Sequence, residues 1–279
     1  FDEVLELYKL DEAVKDPFVF THASPELNDS AREETLAFLE RIVVDEDEDF
    51  RNMLTSRETF IDRRLAALYN IQAPDPSGFA ATTLPENGTR RGLLGQASFL
   101  NLNAHSTSTS ATLRGMYIRQ KILCQVIPPP PANVDTSIPE ADENSPTLRE
   151  RIAEHLENPS CASCHTLTDL VGLGFEQFDG MGRWRETENN SLIDPSGTLD
   201  GTDFSDAWSL AGAMAEHPRL GPCFARHAYE YAQGSELGAE EQPLQEWLAG
   251  KFQFDEWSFA QLMITIASSD AFRNPGGSQ

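Results

Sequence analysis

Apolar residues recur every three or four positions over much of residues 1–70 and again from 147 onward, and that spacing predicts helices. In LNDSAREETLAFLERIVV, Leu36, Phe38, Leu39, Ile42 and Val43 share one side, with Asn28, Asp29 and Ser30 ahead of them as capping residues. TSRETFIDRRLAALYNI reads as a second amphipathic helix, capped by Thr55 or Ser56, with Phe60, Ile61, Leu65, Leu68 and Tyr69 on its apolar side. The acidic run DEDEDF between them is a solvated junction.

Residues 71–90 lose the period, gain Pro and Gly, and are expected to be a loop. RRGLLGQASFLNLNAH is apolar enough for burial, STSTSATLRG breaks it, and MYIRQKILCQVI restores helical spacing until four prolines stop it. His105 with the neighbouring serines lacks a glycine elbow and an orienting acid, so it reads as a polar break and not a nucleophile site. The stretch 128–146 cannot join a helix and supplies no core, which makes it the expected joint between domains. Beyond it, TLRERIAEHLENP is a short helix with Thr147 as cap. WRETENNSLIDPSGTLDG carries turn residues between short β-prone pieces and predicts a hairpin or loop. The chain then closes on SDAWSLAGAMAEH, GPCFARHAYEYAQG and a long final pattern expected to split near Gln253 or Phe254.

A formal charge of -24 repels phosphate, which argues against nucleic acid and anionic lipid as partners. No run of apolar residues is long enough to span a membrane. The chain opens on Phe1 with no basic and apolar leader after it, so a removed export signal or a longer preceding part is expected.

Four cysteines sharpen the picture. Cys124 and Cys223 each stand alone in the sequence. In an exported chain they close a large loop as a disulfide, worth up to about 4–5 kcal/mol in the chain-entropy model; otherwise they pack as two buried thiols. Cys161 and Cys164 stand with His165 in CASCH. Zinc wants four protein ligands, and the sequence has no second Cys-x-x-Cys. A thioredoxin-like pair wants a strand before it and a helix after it, whereas here a helix precedes and a glycine-rich loop is expected to follow. Cys-x-x-Cys-His is the attachment pattern of c-type haem. Cys161 and Cys164 are therefore the expected thioether anchors of one covalent haem c, and His165 the iron ligand.

The opposite iron ligand is more open. Met181, flanked by Gly180 and Gly182, is the leading candidate; Met214, His217, His227 and an open or water-filled position are the alternatives. Arg183 and Arg185 suit bidentate pairing with haem propionates, or else pair with this acidic surface, and Trp184, Phe175 and Phe178 are expected to wall the haem. The fold expected is mainly α: a helical accessory domain over 1–127, a Pro-rich acidic linker over 128–146, and a cytochrome c-like helical haem domain over 147–279 with a short hairpin or loop insertion.

The order of RRGLLGQASFLNLNAHSTSTSATLRGMYIRQKILCQVIPPPPANV, CASCHTLTDLVGLGFEQFDGMGRWR, SGTLDGTDF, CFARHAYEYAQG and ITIASSDAFRN resembles a family of large exported bacterial proteins built from consecutive domains of unknown function, the families 1592, 1588 and 1585, and carrying c-type haem motifs. The resemblance runs from about residue 10 to the end and implies that the chain is the C-terminal portion of such a protein, with the haem in its last module. Where the family shows Asp-Pro-Leu-Gly-Phe after the haem histidine, this chain has Asp169 followed by Leu170, Val171 and Gly172; its Ala-Leu-Gly-Arg stands here as AQGSE. The resemblance also implies pairing of Cys124 with Cys223.

The function expected is an exported, periplasmic or extracellular monohaem c-type cytochrome that passes single electrons to or from a protein partner. An acidic surface selects a basic redox partner, and other chains of a larger complex or the missing N-terminal portion are further expected contacts. The alternatives are a peroxidase-like or oxygen-using haem enzyme with an open sixth site, and a structural or assembly subunit in which haem stabilises the fold.

Overall fold

The computed structural model describes residues 1–88, 90–128, 141–142, 144–157 and 159–273, without the side chains of 154–157, 159–161, 163 and 239. The chain is mainly helical, with three two-stranded antiparallel sheets among the described residues. Helix α1 (Pro25–Glu40) starts ahead of the expected caps Asn28, Asp29 and Ser30. Ser24 caps it by accepting the Leu27 N–H, and Pro25 is preorganised for the first turn. Asn28 and Ser30 are instead buried inside the helix, where Asn28 donates to the carbonyls of Leu10 and Ala13.

After the short helix α2 (Asn52–Thr55), the second expected helix is divided. Glu58–Ile61 forms strand β1, because Thr59 and Ile61 alternate with Glu58 and Phe60 in burial, as a half-buried strand requires. Asp62 then accepts the N–H groups of Arg64 and Leu65 and starts helix α3 (Arg63–Tyr69). The partner of β1 is β2 (Ala80–Thr83), which lies within the expected loop and pairs Glu58 with Thr83 and Ile61 with Ala80. Period-based reading misses both strands because each is four residues long and pairs across a polar stretch.

Helices α4 (Ala97–Leu102), α5 (Ala111–Tyr117), α6 (Leu148–Glu157) and α7 (Pro159–Leu173) follow, and a π-helical turn over Ile118–Ile122 extends α5. Thr147 donates both its N–H and its hydroxyl to Glu150 at the start of α6. Most of the expected linker over 128–146 lies outside the described residues. Two hairpins come next, β3 (Thr187–Glu188) with β4 (Ser191–Leu192), and β5 (Gly197–Leu199) with β6 (Thr202–Phe204). Asn189 and Asn190 turn the first, at φ 47° and 64°, the left-handed pair that a two-residue hairpin loop demands. Helices α8 (Ala207–Ala215), α9 (Leu220–Gln233), α10 (Gln242–Phe254), α11 (Phe259–Ser268) and α12 (Asp270–Arg273) end the chain, with the expected break after Phe254.

The largest apolar cluster joins residues from both sides of the Pro-rich stretch. Phe50 is its hinge pin: its ring lies 4.7 Å from that of Phe224, 5.1 Å from Phe259 and 5.8 Å from Phe252. A second cluster gathers Leu10, Phe20, Leu27, Ile61, Leu65 and Leu68 of the first half around Met181.

Candidate functional site

CASCH occupies the first turns of α7, and the helix continues through it to Leu173. No glycine-rich loop follows the motif directly, because Gly172 serves a helix contact. A Cβ on Gly172 would lie 1.8 Å from the Ala111 carbonyl oxygen, and one on Gly115 would lie 1.9 Å from the Thr168 carbonyl oxygen. These two glycines let α5 and α7 approach backbone to backbone, where any side chain would force them apart. Positions 161, 164, 165, 168, 169 and 172 form one stripe at helical spacing. Its C-terminal part faces α5, and its N-terminal part carries the motif.

Within that stripe, His165 Nδ1 lies 2.7 Å from Asp169 Oδ2, one turn along the helix. Asp169 is fully buried, while the His165 side chain is 24% exposed. The other carboxylate oxygen of Asp169 accepts from Thr112 Oγ1 of α5 at 2.8 Å and from Thr168 Oγ1 at 3.0 Å. A carboxylate fixed on one side by two hydroxyls has its remaining oxygen directed at the imidazole. A neutral ring that donates Nδ1–H carries its lone pair on Nε2, the form in which histidine binds a metal. Cys164 is partly exposed, with its Sγ 3.8 Å from the Pro128 carbonyl oxygen. The Cys161 side chain lies outside the described residues, although its backbone is in α7.

Met181 is buried in the second cluster beside Leu10 and Phe20, and its N–H is held by Asp179. Met214 is fully buried in the main cluster. His217 Nε2 meets Asp200 Oδ2 at 3.0 Å, and Asp200 pairs with Arg119, whose Nε donates to the Leu167 carbonyl of α7. His227 Nε2 donates to the Lys121 carbonyl at 3.0 Å, and burial holds its imidazole below the ordinary range. Phe175 and Phe178 are core residues: Phe175 packs on Phe99, and Phe178 lies between Trp184 and the Arg90 guanidinium. Arg183 is exposed and Trp184 is 37% exposed. Arg185 pairs with buried Glu176 at 2.8 Å, and Glu176 also meets fully buried Arg114 at 3.4 Å. Arg114 further donates to the carbonyls of Phe175, Phe178 and Asp179, and burial pushes it down to about 10. Arg185 therefore closes the loop after α7 by an internal ion pair.

Cys124 and Cys223 form a disulfide that ties the end of the α5 turn to α9 across 99 residues of sequence. A loop of that length removes about 4–5 kcal/mol of unfolded-state entropy in the chain-entropy model. No described helix is long and apolar enough to cross a membrane.

Asp169 is the residue that motif reading passes over. Its signal in the sequence is the four-residue step from His165, which on a helix places the two side chains together. Thr112 carries no such signal, since only the docking of α5 brings it to the carboxylate.

Models of three families, each described as a protein of unknown function, match the chain in succession: DUF1592 over residues 1–71, DUF1588 over 90–188 and DUF1585 over 200–272. The middle match contains both α5 and α7, so the packed helix pair and CASCH fall in one family unit, not in the last one. No curated protein and no solved structure matches the chain. By the order and extent of these three matches, the chain belongs to the multi-domain proteins assembled from the DUF1592, DUF1588 and DUF1585 families.

Proposed function

We propose that this chain carries one covalent haem c on α7 and transfers single electrons to or from a protein partner outside the reducing cytoplasm. The observation that supports this most is the His165–Asp169 pair within CASCH helix α7. The donor set fits the group: Cys161 and Cys164 are three apart on one helix, His165 follows, and a buried carboxylate holds the ring in its metal-binding tautomer. Each thiol would add across a vinyl double bond, forming one S–C bond while its proton passes to the neighbouring carbon, so no oxidant is needed. When bound, the haem iron supplies a one-electron couple. The protein's own residues anchor the ring, orient the ligand and cover apolar surface. Leu167, two residues after His165 on α7, and Val126, two residues before the Pro128 carbonyl that Cys164 meets, are exposed apolar side chains. The Cys124–Cys223 disulfide is consistent with an oxidising compartment.

A second reading is a haem domain with an open sixth position. It is favoured by the burial of Met181 and Met214 in two apolar clusters that include no described residue of CASCH. Production of the full chain in a host with c-type haem maturation tests both. The expected protein keeps its haem on a denaturing gel, and the double substitution Cys161→Ala with Cys164→Ala abolishes that stain. A wild-type chain without covalent haem would end the reading. A low-spin oxidised spectrum with the far-red band of methionine ligation supports the carrier, whereas high-spin iron that takes up cyanide readily supports the open site.

A further inference from the structure

We infer that Asp169 is a positioning residue for the iron ligand, set by α5 to hold the His165 ring and to favour the oxidised iron. This rests on the haem reading proposed above and adds what the carboxylate does within it.

A carboxylate that accepts the Nδ1–H of a metal-binding histidine raises the basicity of the ring, which strengthens its bond to the more highly charged ion. In this chain the carboxylate is placed with unusual completeness. Asp169 is fully buried, its Oδ2 is 2.7 Å from His165 Nδ1, and its Oδ1 is occupied by Thr112 and Thr168. Asp169 itself is enclosed by protein, so its charge is weakly screened where it meets the imidazole. Arg119, which donates to the Leu167 carbonyl of this part of α7, pairs with Asp200. Its charge is thus matched elsewhere.

The arrangement depends on two helices. Thr112 reaches Asp169 only because Gly115 and Gly172 allow α5 and α7 to touch at the backbone. The family unit over 90–188 spans both helices, so the ligand and the device that orients it lie within one unit. His165 and Asp169 share α7 at a fixed helical step, so the ring cannot rotate away without breaking the bond.

The test compares wild-type protein with Asp169→Asn, in which the side-chain carbonyl still accepts from Nδ1 but the charge is gone. Circular dichroism and the haem stain establish folding and attachment. The expected result is a rise in the Fe(III)/Fe(II) midpoint, reduced iron gaining about 10-fold over oxidised iron, which is about 59 mV for one electron. Where the sixth position is open, the iron–histidine stretch of the reduced protein should also fall to lower frequency in the resonance Raman spectrum. Should Asp169→Asn not fold, Thr112→Val decides. It keeps the charge and removes a competing donor, so its midpoint should drop below that of wild type. Haem attached with an unmoved midpoint in Asp169→Asn, or an unmoved or raised midpoint in Thr112→Val, overturns the role of Asp169 while leaving the haem reading intact. Absence of covalent haem from wild type overturns both.

Discussion

Two buried carboxylates show how differently this fold uses the same chemical group. Glu34 on α1 is fully enclosed, accepts from Thr59 Oγ1 at 2.7 Å and from the Tyr69 hydroxyl at 2.5 Å, and sits near Arg90, whose guanidinium lies 3.8 Å from the Tyr69 ring centroid. Tyr69 in turn accepts the Ala97 N–H, and Arg90 donates to the carbonyls of Gly95 and Gly182. Every partner in that set is itself buried, so the network cross-links α1, β1, α3 and the start of α4 and presents nothing to solvent. Asp169 also accepts from threonine hydroxyls, but its third partner is an imidazole that is a quarter exposed. A carboxylate whose partners are all internal is architecture. One that orients an accessible ring is the supporting half of a site.

The contact that creates the second arrangement is also the one most easily broken. Gly115→Ala places a methyl group 1.9 Å from the Thr168 carbonyl oxygen, a backbone atom that cannot rotate aside. The expected cost is about 3 kcal/mol or more, read as a lower urea midpoint, since overpacking a backbone contact moves whole helices. Gly212→Ala on α8 is the matched control: its added Cβ meets nothing within 4 Å, and the change should stabilise the chain by about 0.5–1 kcal/mol. Equal behaviour of the two variants would show that α5 and α7 do not meet through Gly115.

Glu34 gives the next effect in size, with a sign set by its protonation. Burial pushes its carboxyl up to about 7, against the lowering pull of the Tyr69 and Thr59 hydroxyls and of Arg90. The folded state therefore holds a proton that the unfolded state releases near the ordinary carboxylate value. This contribution is full at low pH and is lost as pH rises through about 7. Glu34→Gln mimics the protonated form and should be more stable than wild type by about 2 kcal/mol at pH 8, with the gap closing toward pH 5. Urea unfolding at both pH values would show it. A gap that does not change with pH would mean that Glu34 ionises no differently in the folded chain.

How much of this was legible in the sequence follows from the range of the interactions involved. The helices of the last third were readable because each carries its own apolar period, as in Leu220–Gln233, and the Asn189–Asn190 turn was readable because its chemistry is local. Strand β1 was not, since its residues are equally apolar in a helical arrangement and only pairing with Ala80–Thr83 decides the matter. The helix through CASCH was not read, a glycine-rich loop being expected after the motif, because Gly172 looks like a loop residue until α5 is packed on it. The motif was visible as spacing. Its support was not, because Thr112 lies 57 residues from Asp169 along the chain.

The smallest predicted effect compares the two carboxylates most directly. Thr59→Val and Thr112→Val each replace a hydroxyl that donates to a buried carboxylate with a methyl group of similar volume. Thr59 is 2% exposed, and its hydroxyl is the one donor to Glu34 Oε1 among the described residues, so its loss leaves a buried oxygen without a partner and should cost about 1–2 kcal/mol. Thr112 is partly exposed, and Asp169 Oδ1 keeps the Thr168 hydroxyl, so that variant should lose about 0.5 kcal/mol or less. The order should reverse for the histidine. In amide and ring-proton spectra the Thr112 change should move the His165 ring resonances, while the Thr59 change leaves them in place. If Thr112→Val proved the costlier substitution and left His165 unmoved, Asp169 would belong with Glu34 as internal scaffolding.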